Sequence, residues 1–541
     1  MTDAAAPHPG RSFSLTLPGC VKWHHVLLVA IILLASFSRI WRLDVPSRCY
    51  FDEVYFPTTG AEILRGDNDA WQFYGHENTH PPLSKVLMAA GMGIFGHRDY
   101  QGGTNECWPD TEDSPKKNSD DWLYDPFGWR FPGAVAGIGA VIFMYLLAKR
   151  LLDSEVAALS AAFLLTIDGL AFTQARIATP DTYVLFFTLG AVYFMVSHRW
   201  ALAGIFLGAS AASKWIGAFT IAPIIFYYAW TAIVRWKEAG SDARLREAER
   251  VLTVGGGAAL TGLVITALFF VADGLSRTAL LAGGVPFAVG AFVIAGGLIA
   301  IATDPVLRTI PRAQVYMRTA VAFPIYFIAI PFAVYMATSI PMFLNGHDTA
   351  HWWDLNRSAY EFHSSLDATH PYQASLWGWP IDQRPVFLYL GQGYTKIYNL
   401  GNPLIFWMSI PALVFTLWQS LRLVRARLDS SGRIAVWGSF GQPQAMLLFI
   451  VLSYLAFWLS LSTQGRALFL YHYLEALAFA ILALGYVIHW LWYHPWKYSR
   501  FGAILFLVMA SATAMYFYPH WAAVDLKPWF DETYYWFDSW R

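Results

Sequence analysis

Apolar positions along this chain form long unbroken runs with no polar face. The first is Val26–Ile40. Others follow at Phe131–Ala148, Val156–Phe172, Tyr183–Val196, Ala201–Ala212 with Ile216–Val234, Val251–Val271, Ala282–Ala302, Ala320–Pro341, Leu404–Leu421, Met446–Leu461, Leu468–Trp490 and Phe501–Tyr516. A helix perpendicular to a bilayer needs roughly 20 such residues, and several runs are shorter. The pattern predicts an all-α polytopic membrane protein with about 11 to 13 spans. The first run is flanked by Lys22, His24 and His25 and lacks a small-residue cleavage site, so it reads as a retained signal-anchor span.

The polar intervals are of two kinds. Those holding Lys149 and Arg150, Arg235 through Arg250, Arg308 with Arg312 and Arg318, and Arg422 through Arg433 concentrate basic charge, which places them in the cytoplasm. Residues 44–129, residues 345–401, the Ser462–Arg466 turn and the tail after Pro519 then lie outside. A short helix over Ser84–Phe95 interrupts the first of these. The two long outer segments are dense in Trp, Tyr, His and Pro. Segments of that length inside a compact protein are usually functional or disordered, and the aromatic content argues against disorder.

Composition agrees with a lipid-dissolved chain. Of 541 residues, 56% are hydrophobic and 14% charged, against roughly a quarter charged in soluble domains. Lys plus Arg and Asp plus Glu are equal at 37 each, so net charge points to no polyanionic partner. The three cysteines Cys20, Cys49 and Cys107 make no CxxC pair or metal-ligand cluster. Cys49 and Cys107 could both lie outside and pair, but two free thiols is the favoured reading, because spacing alone does not bring their Cα atoms within about 7 Å. Walker, Rossmann, HExxH and GxSxG motifs are absent where their context would support them.

The charges near the outer ends of the spans are the candidates for chemistry. Adjacent carboxylates among aromatic side chains, as at Asp52-Glu53, are partly desolvated and repel each other, which raises a carboxylate toward general-base range. A salt bridge to Arg48 or Arg42 explains the pair equally well. His80 and Lys85 sit around Pro81-Pro82 at a helix start, where the lysine could also simply snorkel. Arg176 and Asp181 between two apolar runs, Lys214 between two others, Arg130 at the second span, and Arg466 with His472 complete the set; ionisable residues at membrane depth usually face a cavity or each other. Several cations meeting two acids suit an anionic leaving group such as a phosphate ester. In the second outer segment His370, Tyr372, Trp377 and Trp379 could form a platform for a sugar or a peptide, or anchor at the interface without a ligand.

Six stretches carry a resemblance. They are Phe51-Asp52-Glu53-Val54-Tyr55-Phe56, His80-Pro81-Pro82-Leu83-Ser84-Lys85, Ala175 through Asp181, Ser213-Lys214-Trp215-Ile216-Gly217, Thr369-His370-Pro371-Tyr372-Gln373 and Phe469 through Leu474. Together, and in this order, they resemble the motifs of protein O-mannosyltransferases, with bacterial, actinobacterial-like members the nearest. The resemblance implies a C-type glycosyltransferase fold over residues 1–541, with catalysis in the first outer segment and substrate binding in the second. It implies a polyprenyl- or dolichyl-phosphate mannose donor, Ser/Thr hydroxyls of secreted proteins as acceptors, and the secretion translocon as a possible partner. Location in a bacterial plasma membrane with an extracytoplasmic site follows. The family's catalytic aspartate falls on Asp52, with Glu53 beside it, its second-span arginine on Arg130, and its Arg-to-Asp motif on Arg176 and Asp181; in a mechanism that fits both the residues and the resemblance, cations chosen from Lys85, Arg130, Arg176, Lys214, Arg466 and His472 offset the charge on a departing phosphate, with His80 beside them. A metal is not required. Tyr55 stands where many members have His, Thr179-Pro180 replaces a more apolar pair, and no sugar-binding domain is inserted in the second segment.

Two other readings fit fewer of these features. A sister transferase would pass a pentose or hexose to a lipid or glycan. A transporter with an Asp/Arg/His relay would be expected to show internal repeats and midplane broken helices, and the chain has no repeat of fixed period.

Overall fold

Why the apolar runs stop where they do explains most of the architecture. The structure is a computed structural model describing residues 22–74, 76–96, 125–240, 242–273, 277–431, 443–462 and 466–541. Helix α1 (Trp23–Ile40) leads into the first polar segment, which carries α2 (Phe56–Arg65) and α3 (Leu83–Phe95). There follow α4 (Pro126–Leu152), α5 (Glu155–Thr166), α6 (Gly169–Gln174), α7 (Asp181–Val196), α8 (Trp200–Ser213), α9 (Ile221–Glu238), α10 (Arg246–Asp273), α11 (Arg277–Thr303), α12 (Pro311–Pro324) and α13 (Ile330–Ala337). The second polar segment contains α14 (Ile340–Leu344), α15 (Thr349–Ser365) and an antiparallel hairpin of β1 (Val386–Leu390) and β2 (Lys396–Asn399). Helices α16 (Pro403–Ser431), α17 (Pro443–Trp458), α18 (Leu474–Tyr493) and α19 (Ser499–Trp521) complete the bundle.

Among the described residues, seven helical runs are long and apolar enough to cross a membrane, and six further apolar helices have 10–17 residues. The expected 11 to 13 spans are reached only when the shorter helices are counted. One of the expected runs is interrupted by a charged residue, and another charged residue, Lys214, occupies the expected gap between two runs. Val156–Phe172 breaks at Asp168, whose side chain caps α6 by accepting from the Ala171 amide at 2.9 Å. Between α8 and α9 the backbone of Lys214 is extended (φ −162°), so the chain leaves the helix there and resumes in a 3₁₀ turn at Trp215–Thr220.

Helix α18 is the axis of the bundle. Every residue from Leu474 to Gly485 is buried, and α5, α16 and α17 pack around it. Its alanines and glycine let neighbouring backbones approach closely, as small residues do between membrane helices. Gly91 works in the same way for α3: a Cβ there would collide with the carbonyl oxygen of Gly128, so only glycine lets α3 lie this close to α4.

Basic segments gather at the end of the bundle where α1 begins. His24 and Lys149 both approach Glu155, at 3.9 and 3.2 Å, Arg150 donates to the Val196 carbonyl, and Arg312 pairs with Glu249 at 3.2 Å. The two long polar segments meet at the other end. His351 Nε2 donates to the Trp71 carbonyl at 2.9 Å, and Arg48 reaches the Leu390 carbonyl at 3.1 Å. The second segment is more ordered than short helices in a loop. Asp348 caps the 17-residue α15, and the alternating burial of Val386 and Leu388 supports a hairpin that the reading of apolar runs did not include. Cys49 is disulfide-bonded, not a free thiol; Cys20 and Cys107 lie outside the described residues.

Candidate active site

Asp52 and Glu53 share one 3₁₀ turn, Phe51–Val54, yet they face different surroundings. Glu53 is fully buried. Its carboxylate accepts from Arg130 Nε at 2.8 Å and Nη2 at 2.7 Å, and from the Ala178 amide at 2.9 Å. Asp52 is half-buried and lines a cavity of about 220 Å³. Just before the pair, Phe51 holds a left-handed φ of 51°, a conformation that costs a non-glycine residue on the order of 1–3 kcal/mol. Its ring packs edge-on against Tyr471, 6.3 Å away.

The cavity gathers residues from distant parts of the chain: Asp52, Phe56 and His80 from the first segment, Asp181 and Lys214 from helix boundaries, Thr369 and His370 from the second segment, and Arg466, Tyr471 and His472 from the turn before α18. Lys214 donates to Asp181 at 2.8 Å and lies over the Tyr471 ring at 5.1 Å. Burial pushes the Asp52 carboxyl up to about 6; Lys214 pulls in the opposite sense, while Asp181 and Glu77 add to the rise. At neutral pH it is an ionised but basic carboxylate.

His80 is fixed by Glu77, whose carboxylate lies 2.8 Å from Nδ1. Burial alone would raise the Glu77 carboxyl, but Lys85 and His80 outweigh it and hold it well below the usual range. Lys85 is fully buried and donates to the Glu77 carboxylate (3.1 Å), Asn78 Oδ1 (3.1 Å) and the His80 carbonyl (3.0 Å), as well as to the Glu77 carbonyl. On the far side, Arg466 Nη1 donates to His363 Nδ1 at 2.7 Å, and His363 Nε2 donates to the Thr79 carbonyl at 2.8 Å.

Several expected ligands therefore lie elsewhere. Arg130 donates to the carbonyls of Leu43, Pro46 and Arg48 in addition to Glu53. Arg176 donates to those of Ser38, Arg39, Trp41 and Arg42, closing off the carbonyl end of α1. With their terminal nitrogens bonded to these acceptors, and none of the three lining the cavity, both arginines and Lys85 hold the first segment in place. Glu53 likewise turns away from the cavity.

The expected platform also divides. Only His370 lines the cavity. Tyr372 packs against Phe387 under Arg384, and Trp377 is 68% exposed with its ring edge-on to Trp458. Trp379 is fully buried and stacked on His472. Sequence reasoning alone does not mark Tyr471, Glu77 or His363; Tyr471 belongs to the Phe469–Leu474 motif, His363 to the Glu361–Gln373 stretch of the second segment, and Glu77 to a polar stretch with no distinguishing spacing. A larger cavity of about 460 Å³ between α9, α10, α11 and α12 has no charged lining residue, so size does not pick the site. Among the described residues no group of three or more His, Cys, Asp or Glu is placed to hold a metal ion.

Residues 29–253 match the family model for dolichyl-phosphate-mannose-protein mannosyltransferase, and residues 349–540 match that for the C-terminal four-transmembrane region of protein-O-mannosyltransferase. A polyprenol-phosphate-mannose–protein mannosyltransferase of Mycobacterium tuberculosis is 23% identical, with 95% of this chain and 91% of that protein covered. One from Mycolicibacterium smegmatis is 24% identical over 77% of this chain and 78% of its own. The fold is similar to that of the S. cerevisiae protein O-mannosyltransferase Pmt1-Pmt2 complex bound to the sugar donor, with a TM-score of 0.65, 13% identity and coverage of 97% of this chain and 93% of that one. Matched by family models over residues 29–253 and 349–540 and aligned over most of its length with such relatives, the chain belongs to the protein O-mannosyltransferase family.

Proposed function

We propose that the protein transfers mannose from a polyprenyl- or dolichyl-phosphate mannose to Ser or Thr hydroxyls of secreted or membrane proteins, with inversion at the anomeric carbon. One observation carries the reading: in a chain of this family, Asp52 shares a small cavity with Lys214, Arg466 and His80. Asp52 takes the proton of the acceptor hydroxyl. The hydroxyl oxygen bonds to the anomeric carbon as the bond from that carbon to the phosphate oxygen breaks, and the lipid phosphate leaves with the electron pair. General-base assistance of this kind contributes about 10²–10⁴-fold. Lys214 and Arg466 offset the charge gained by the leaving phosphate, and each such donor is worth on the order of 3 kcal/mol.

The cavity lies at the end of the bundle away from the basic segments, which by the positive-inside rule supports an extracytoplasmic site, here in a bacterial plasma membrane. Acceptors leaving the secretion translocon would meet it there. At about 220 Å³ the cavity is smaller than the roughly 300–1,000 Å³ of drug-sized ligand sites, which suits one sugar with its lipid chain lying outside between helices. The test supplies purified protein with labelled polyprenyl-phosphate mannose, a Ser/Thr-rich peptide and a lipid acceptor. Label on the peptide supports the reading, and label passing only to lipid would favour the sister transferase.

A further inference from the structure

His363 joins three parts of the chain that are distant in sequence. It projects from α15, donates from Nε2 to the Thr79 carbonyl, and accepts at Nδ1 from Arg466. A carbonyl can only accept, so the proton must sit on Nε2, and Nδ1 is left as the lone pair that Arg466 needs. The imidazole is thus a neutral acceptor held in one tautomer by the first polar segment. The His80 ring at 5.2 Å and the Trp215 ring at 6.0 Å wall it in. His363 itself does not line the cavity, whereas Arg466 does.

We propose that His363 is the positioning residue for the Arg466 guanidinium, and that through it the packing of the first polar segment against the second sets how well the site binds the phosphate of the donor. An arginine has five donors in a rigid planar fork. Securing one of them on Nδ1 orients the others without neutralising the charge, as a carboxylate partner would. The proposal rests on the reading of the cavity as a lipid-phosphate sugar site. It adds a residue outside the cavity and a direction of coupling, from the Thr79 carbonyl to His363 to Arg466.

The test is a double-mutant cycle in full-length protein reconstituted in nanodiscs, using polyprenyl phosphate alone as the binding probe and polyprenyl-phosphate mannose with a Ser/Thr peptide for turnover. His363→Leu should weaken probe binding and raise the donor KM by about tenfold, the scale of one hydrogen bond to a charged group, with the peptide KM unchanged. Arg466→Ala should weaken probe binding at least as much, and His363→Leu added to Arg466→Ala should change the probe affinity less than twofold, since with the guanidinium gone His363 has nothing left to orient. His363→Gln, which keeps an acceptor and a donor on one side chain, should recover part of the loss. Additive effects, or equal damage to donor and peptide KM, would overturn the positioning role. Absence of probe binding in the wild-type protein would instead remove the mannosyl-phosphate reading on which it rests. Thermal melts of each variant separate these outcomes from misfolding.

Discussion

Glu53 and Arg130 form a fully buried two-point ion pair, Nε to Oε1 at 2.8 Å and Nη2 to Oε2 at 2.7 Å. The pair ties the turn that carries Asp52 to the start of α4. Arg130 also gathers three carbonyls of the stretch between α1 and that turn, so the same contact orients the chain on both sides of Asp52. Removing one member of such a pair leaves an uncompensated buried charge, at a cost of about 3–5 kcal/mol. Arg130→Met or Glu53→Leu should therefore lower the melting temperature and activity together. Arg130→Lys should not restore them, because an ammonium lacks the planar fork.

The Asp52 carboxyl, raised to about 6 by burial, gives the activity a pH signature. Below that value the base is protonated, so kcat/KM should fall about tenfold per pH unit, and above it the profile should be flat until another group titrates. The sign for stability is opposite. Between the usual value of 3.8 and about 6, the folded state binds a proton that the unfolded state has lost, so stability contributed at Asp52 decreases as pH rises through that window. Asp52→Asn should melt no lower than wild type at pH 7, as scanning calorimetry would show.

Lys214 meets Asp181 and the Tyr471 ring at the break between α8 and the following 3₁₀ turn. Lys214→Met should reduce kcat by roughly 10²–10³-fold, the scale seen when one oriented electrostatic donor is lost. Asp181→Asn should weaken turnover less, because the lysine keeps its charge. Single-turnover kinetics with donor bound in excess distinguishes this from a loss of donor affinity.

Two tryptophans in the second segment should behave oppositely. Trp379 is fully buried against His472, and Trp379→Ala should cost about 3–5 kcal/mol, as large aromatic truncations in cores do. Trp377 is 68% exposed, and Trp377→Ala should change the melting temperature little. Melting curves in one detergent suffice to compare them.

The apolar runs made the bundle legible, since length and hydropathy alone decide whether a helix suits lipid. The interruption at Asp168 is harder to read, because one polar residue in an apolar run reads equally well as a tolerated charge or as a break, whereas Lys214 already falls in a gap between two runs. Asp52 was legible as one of a pair, but the direction of Glu53 was not: a 3₁₀ turn separates adjacent side chains by an angle that only the position of Arg130 resolves. Arg130 and Arg176 misled for a related reason. Their partners are mostly backbone carbonyls, which leave no trace in side-chain identity. Trp379 is as open as Trp377 to a platform or an anchor reading, because a buried and an interfacial tryptophan look alike in sequence. His363 carried no signal because its partners, Thr79 and Arg466, lie 284 and 103 residues away.

The central claim is that Asp52 is the base. Its most direct test is transfer of labelled mannose from polyprenyl-phosphate mannose to a Ser/Thr peptide by Asp52→Asn protein in nanodiscs, with donor binding measured on the same sample. Donor affinity should stay within a few-fold of wild type, and turnover should fall by about 10²–10⁴-fold. Near-normal turnover with donor bound would contradict it.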